Sequence, residues 1–268
     1  MMEIFTDIKL ESFKQLILDC GKFMVSAALD ENDSSDVMKK SGDADFVTVY
    51  DKGVQEKLIT GLTALFPEAH FFAEEKDNFA EDTKNGLCFV IDPIDGTTNF
   101  IHNLGASTIS VGALYNGRPV FGCVYDPYRG DLFIAVDGKG AYKNGEKISV
   151  SDREMPTAVV SFGTTPYRKK EYAEEGFRIA RDIFCNCSDL RRSGSAALDM
   201  ANIACGKLDG FFECILSPWD YMAGTVLIKE AGGIVTDFSG TEIGFSEPSP
   251  VLCSNGIIQN KLLALINR

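Results

Sequence analysis

Histidine is nearly missing from this chain: 268 residues hold His70 and His102 and no other. Mechanisms that need several imidazoles are therefore set aside. No Cys-x-x-Cys pair occurs among the eight cysteines (Cys20, Cys88, Cys123, Cys185, Cys187, Cys205, Cys214, Cys253). They are mostly scattered through apolar stretches such as FFECIL and LCFVID, and are read as buried, reduced thiols of a cytoplasmic protein. No basic segment followed by an apolar run opens the chain, and no run approaches the ~18 apolar residues of a membrane span. No membrane partner is expected. Basic residues are outnumbered, 26 against 39 acidic, for a net charge of −13. That excess excludes a nucleic-acid partner, which needs a basic face, but not an anionic substrate, because bound divalent cations reverse the local sign.

What is present is an ordinary globular mixture, 45% apolar, 24% charged and 10% aromatic, without repeats or low-complexity linkers. Phe13, Leu16, Ile17, Cys20, Met24 and Ala27 fall on one helical face. The polar stretch that follows, DENDSSDVMKKSGDAD, reads as a solvated loop or an active-site lid. The spacing predicts a second helix from about Gly53 to Leu65, stopping before Pro67. HFFAEE and LCFVID then read as strands, and Asn116-Gly117, Asp137-Gly138 and Asn144-Gly145 mark hairpins of an antiparallel meander. Beyond about residue 153 strands and helices alternate, with helices expected over roughly 169–184, over SAALDMANIACG and over PWDYMAGTVLIKEAGG. The expected architecture is layered, one domain over 1–268 with an antiparallel α+β half (about 1–152) and an alternating α/β half (about 153–268).

The most informative string is Asp92-Pro93-Ile94-Asp95-Gly96-Thr97-Thr98-Asn99. An apolar strand runs straight into two aspartates, Pro93 restrains the backbone, and Gly96 lets a ligand approach closely. The hydroxyl-rich helix start beyond it offers free amides to a phosphate oxygen. Hard cations such as Mg²⁺ take carboxylates, carbonyls and water, and commonly bridge to phosphate. Glu74-Glu75 also ends a strand, although such a pair alone is ordinary surface. Asp220, beside the only tryptophan, either complements a helix dipole or joins the acids. Asp51 either caps the second helix or orients a water. Two carboxylates about 5 Å apart repel by roughly 3 kcal/mol at an effective dielectric near 20, so convergence of all of them requires cations.

These residues resemble the inositol monophosphatases, within the lithium-sensitive, magnesium-dependent phosphatases. Ala73-Glu74-Glu75, Asp92 to Asn99, Trp219-Asp220 through Gly224 and the EAGG at 230–233 carry the resemblance, in the family's order, over nearly the whole chain. The resemblance implies an αβαβα sandwich of the sugar-phosphatase type, usually a homodimer, with two or three Mg²⁺ ions. By position, Glu74, Asp92 and the Ile94 carbonyl would hold one ion, Asp92, Asp95 and Asp220 a second, and Glu74 would help with a weaker third. Asp51 and Thr97, with Glu74, would handle the attacking water, and the Gly96 and Thr97 amides would cradle phosphate. Gly194, Ser195, Ala196 and Glu213, with Asp95, match the segment that reads the alcohol of the substrate.

The implied activity is hydrolysis of a small phosphomonoester, inositol monophosphate first, by a water that needs no covalent enzyme intermediate. Lys39 and Lys40, in the segment around 31–45, would close over the phosphate. Ser195 stands where animal members often carry threonine, and Leu216-Ser217-Pro218 replaces a histidine-containing stretch, so the alcohol stays open. Fructose 1,6-bisphosphate, other sugar phosphates and NADP are the same-class alternatives. A regulatory, protein-binding relative is the alternative of another class.

Overall fold

The computed structural model describes residues 4–29, 37–39, 46–76, 78 and 82–268. The helical spacing of Phe13, Ile17, Cys20 and Met24 forms α1 (Asp7–Leu29), which buries all four side chains. Val37–Lys39 (β1) and Phe46–Thr48 (β2) form an antiparallel pair, so part of the stretch expected as a loop is strand. Lys40 and most of that stretch, and with them the lid reading, lie outside the described residues. The second helix, α2 (Val49–Leu65), starts four residues earlier than its apolar pattern suggests and takes Asp51 into its first turn. A negative charge there complements the free amides of the helix start.

The meander builds a mixed sheet of β3 (His70–Ala73), β4 (Leu87–Asp95), β5 (Thr108–Tyr115), β6 (Arg118–Asp126), β7 (Asp131–Val136), β8 (Gly140–Lys143) and β9 (Glu146–Ile148), in that spatial order. Asn116 and Gly117 both take positive φ (51° and 75°), the geometry that a two-residue hairpin between twisted strands requires. One pairing departs from the expected antiparallel half: β3 runs parallel to β4. Sequence alternation cannot distinguish the two directions when both strand faces are covered.

The second half gives β10 (Val159–Phe162), β11 (Asp189–Arg191), β12 (Gly210–Leu216), β13 (Ile234–Thr236) and β14 (Ser249–Ser254) in the order β11-β10-β12-β14-β13. The first three of that order are parallel, and β14 is antiparallel to both its neighbours. The helices are α3 (Thr97–Ile101), α4 (Lys169–Phe184), α5 (Ala196–Ala204), α6 (Pro218–Glu230) and α7 (Gln259–Ile266).

Burial divides these elements into layers. Phe89, Ile91 and Val111 face α1 and α2, while Cys88 and Val90, pointing the other way along the same strand, face α5 and α6. Phe211 closes that central layer from the second sheet, and Phe212 and Leu252 turn outward onto α4 and α7. The result is an α–β–α–β–α sandwich. Five of the cysteines are buried as expected, but Cys185 is exposed and Cys187 and Cys205 are half-buried, because they sit at helix ends rather than inside apolar faces. Among the described residues no helix is long and apolar enough to cross a membrane.

The seat of α6 is set by two glycines. Gly112 of β5 pairs with Gly122 of β6, and the helix backbone lies directly over them. A Cβ on Gly122 would meet the Ala223 carbonyl oxygen at 2.3 Å, and one on Gly112 would meet Met222 Sδ at 2.0 Å. The first obstacle is backbone and cannot swing aside. Gly122→Ala is expected to lower unfolding free energy by about 3 kcal/mol, a fall of ~6–12 °C in Tm, which thermal and urea melts will check.

Candidate active site

In a regular strand, residues three apart point to opposite faces. Asp92 and Asp95 nevertheless meet, because the register of β4 against β5 shifts between them, at Pro93-Ile94. Asp220 arrives from the first turn of α6, and atoms of the three carboxylates lie within 4.8 Å of one another. Glu74 follows β3, donates its amide to the Ile91 carbonyl at 3.1 Å, and shares a side-chain hydrogen bond with Asp92. Parallel pairing of β3 with β4 is what places Glu74 there.

Each aspartate has one oxygen held by the protein. Asp92 Oδ1 accepts from the Ile94 amide at 3.0 Å, and Asp220 Oδ2 accepts from the Ser217 amide at 2.8 Å in a capping box. Asp95 Oδ2 accepts from Ser195 Oγ at 2.5 Å and from the Ala197 amide at 2.7 Å, at the N-terminus of α5. Burial, then the charges of Glu74, Asp95 and Asp220, pushes the Asp92 carboxyl well up. Burial, then Asp95 and Glu74, does the same to Asp220. Asp95 is pushed up by burial to about 6, moderated by its bonds to Ser195 and Ala197. An all-oxygen, pre-oriented and mutually repelling donor set fits a hard divalent cation.

The remaining candidates lie around one cavity of about 160 Å³, at whose floor the acids stand. Gly96 has φ +88°, a left-handed conformation that suits glycine, and starts α3 with Thr97. Thr97 Oγ1 lies 3.4 Å from Asp51 Oδ1 and 3.2 Å from the Ile94 carbonyl, so Asp51, fully buried, reaches this turn across 46 residues of sequence. Gly194, Ser195, Ala196 and Glu213 also line the cavity. Glu213 Oε1 accepts from Thr165 N at 2.7 Å and Thr165 Oγ1 at 3.1 Å, and burial pushes its carboxyl up to about 7. His102 is exposed at the end of α3 and outside the cavity wall.

Residues that the sequence reading passed over are here too. Thr165 holds Glu213 from a left-handed conformation, φ 43°, rare for a β-branched residue. Nothing in the string GTTPY announces it. Arg192 is the one basic side chain among the described residues of the cavity wall. Asp199 also lines it, and an acid inside the apolar run SAALDMANIA was a legible signal.

Carboxylates converging at a sheet end, beside a glycine turn and a hydroxyl-rich helix start, form an acidic cluster that suits a hard cation. Residues 11–268 match the model of the Inositol monophosphatase family, and the chain belongs to that family, which is metal-dependent. It is similar to the Nus factor SuhB of Escherichia coli strain K12, 42% identical over 202 residues, 75% of each chain. It is 36% identical to the inositol monophosphatase of Dictyostelium discoideum over 99% of this chain and 97% of that one. The solved IMPase of Thermotoga maritima superposes with a TM-score of 0.86 at 32% identity, covering 98% of this chain and 97% of that one.

Acids raised in the folded state bind more protons there than in the unfolded chain, so stability is lost as pH rises above the unfolded value, near 4, through the folded values. With Asp95 near 6 and Asp92 and Asp220 also raised, the metal-free protein is expected to lose several degrees of Tm between pH 5 and pH 8. Millimolar Mg²⁺ should remove most of that fall; calorimetry with and without EDTA will check both.

Proposed function

We propose that this protein is a Mg²⁺-dependent phosphomonoesterase that hydrolyses inositol monophosphate to inositol and phosphate, working as one domain over residues 1–268. The observation that carries the reading is a single cavity lined both by an acidic cluster and by a hydrogen-bonding segment. Asp92, Asp95, Asp220 and Glu74 form the cluster, and the Gly194–Ala196 segment, bonded to Asp95 through Ser195, lines the same cavity with Glu213. The first suits a phosphate bridged by cations, the second a hydroxyl-rich alcohol that donates to Glu213.

Glu74, Asp92, Asp95 and Asp220, with the Ile94 carbonyl, would hold two or three Mg²⁺ ions. Bound there, the ions supply acidification of a water and charge compensation for phosphate and leaving oxygen. The chain's own part begins at the Gly96-Thr97 turn, whose amides orient the phosphate. Thr97 Oγ1 takes a proton from the attacking water while its own passes to Asp51 Oδ1, the neighbour 3.4 Å away. In-line attack then expels the leaving oxygen, which takes up through solvent the proton left on Asp51, and the alcohol so formed is held by Gly194, Ser195, Ala196 and Glu213, with Asp95 bonded to Ser195. Membership of a phosphatase family supports hydrolysis, and likeness to an enzyme named inositol monophosphatase supports the alcohol. We take the working unit to be a cytoplasmic homodimer without a membrane or nucleic-acid partner. Free cysteines, the −13 charge and family membership support that choice.

A second reading has a specific observation behind it: 42% identity to proteins named Nus factor SuhB favours a regulatory, protein-binding role. Phosphate release separates the two. With Mg²⁺, inositol 1-phosphate should be hydrolysed in preference to fructose 1,6-bisphosphate, NADP and adenosine 3′,5′-bisphosphate, and EDTA should abolish turnover. Comparable rates on the sugar bisphosphate would move the protein to a broad sugar phosphatase. No turnover, with Mg²⁺ still bound, would favour the regulatory role. Asp92→Asn should lower kcat by about 10³-fold while leaving Tm equal or higher, since it removes a repelling charge. Millimolar Li⁺ should inhibit.

A further inference from the structure

Asn99 ends the string that begins at Asp92, yet holding cations and phosphate asks nothing of its side chain. It lies in α3, 5% exposed, in the wall of the cavity. Its side-chain Nδ2 donates to the Ala106 carbonyl at 2.7 Å and to the Ser193 carbonyl at 2.8 Å. Both partners are backbone carbonyls, which only accept, so the nitrogen end of the amide faces them and both its protons are in use. Ala106 belongs to the loop that follows α3. Ser193 belongs to the loop that leads into α5, 94 residues from Asn99 in sequence.

The two halves of the chain meet here as bare backbone. Gly96 and Gly194 both take left-handed conformations, with φ +88° and +87°. A Cβ on Gly96 would stand 3.0 Å from the Gly194 carbonyl oxygen, and one on Gly194 would stand 2.9 Å from Asn99 Nδ2. Hydrogen bonds therefore fix the spacing where side chains have no room. Beyond Gly194, Ser195 Oγ crosses to Asp95 Oδ2 at 2.5 Å; before it, the crossing is that of Asn99. The residue type follows from the task. A serine or threonine has one proton to offer, a lysine or arginine would bury a charge, and a primary amide serves two carbonyls while neutral.

We propose that Asn99 is a positioning residue of this site: its amide clasps Ser193 to the loop after α3 and so holds the Gly194–Ala196 segment where it reads the alcohol of a polyol phosphate. The proposal rests on the phosphatase reading above and assigns a specificity role within it. Its consequence is asymmetric. The Gly96 carbonyl accepts from the Phe100 amide and from Ser107 Oγ, both at 3.0 Å, and Asp95 accepts from the Ala197 amide at 2.7 Å. None of these bonds involves the Asn99 side chain, so the Gly96-Thr97 turn and Asp95 keep their places when the clasp is lost. Ser193 and Gly194 do not. Loss of Asn99 therefore weakens binding of a hydroxyl-rich alcohol without slowing the chemical step.

The test is steady-state kinetics of the full chain with Mg²⁺ on two esters, inositol 1-phosphate and 4-nitrophenyl phosphate, whose alcohol carries no further hydroxyl. Asn99→Ala should raise KM for inositol 1-phosphate about fivefold with kcat held within about threefold, and leave KM for the nitrophenyl ester within about twofold of wild type. Asn99→Asp keeps the shape but puts an oxygen where both donors were, so it should raise KM at least as far. Amide hydrogen exchange gives a readout apart from turnover: over residues 193–198 of the ligand-free wild type it should be as slow as over β4, and Asn99→Ala should speed it there while leaving α6 unchanged. If neither variant folds, as judged by circular dichroism, the wild-type exchange decides the matter alone. Equal losses on both esters, an unchanged KM, an Asn99→Asp variant closer to wild type than Asn99→Ala, or fast wild-type exchange over 193–198 would overturn the proposal while the phosphatase reading stands. A wild type that turns over neither ester removes both.

Discussion

Mutual repulsion of buried carboxylates is the constraint on which this structure turns. Asp92, Asp95 and Asp220 place ligand atoms within 4.8 Å of one another, with no basic side chain of the described cavity wall among them. Water would screen such charges, but here burial removes it. The fold answers with fixed dipoles. One oxygen of Asp95 is held by the N-terminus of α5, one of Asp220 by the capping box of α6, and one of Asp92 by the backbone beside it. The three carboxylates are thereby aimed before any cation arrives, and the repulsion that remains is what a cation relieves.

Holding those helices in place is the business of the central layer. α6 reaches its position only because Gly112 and Gly122 let backbone lie on backbone, and Gly224 in turn lets α5 approach through Met200. Replacing any of these with a side chain would lift a helix by the width of a methyl group. The acid that the helix carries would move with it. Packing density in the middle of the sandwich and electrostatics at its end are therefore one problem, since interiors this tightly packed transmit displacement rather than absorb it.

The two sheets contribute different things to the cavity. The first supplies Asp92 and Asp95 at the end of β4, with Glu74 following β3 and the Gly96-Thr97 turn close behind. The second supplies Glu213 on β12 and the loop leading into α5. Their junction is polar and specific: Ser195 to Asp95, Asn99 to Ser193, Thr108 to Ser195 at 3.3 Å. The relatives of this chain carry names as different as inositol monophosphatase and Nus factor.

Sequence alone determined the elements and the chemistry of the central string. The apolar period of α1, the Asn-Gly hairpins and the limits of α4 follow from local physics, because helix and turn geometry depend on residues a few positions apart. Two aspartates around a proline, before a glycine and two threonines, pointed to a cation site for the same reason, and the fold brings both aspartates into one acidic cluster. Tertiary structure alone decided what depends on contacts between distant segments. It set the parallel pairing that brings Glu74 to Asp92, the shifted register that turns Asp92 and Asp95 to one side, and the glycine seat that delivers Asp220. It also decided that Thr165, unremarkable in its own string, would support Glu213, and that Cys185 would face solvent. Burial and hydrogen-bond partners are properties of the packed chain, and no window of sequence holds both sides of such a contact.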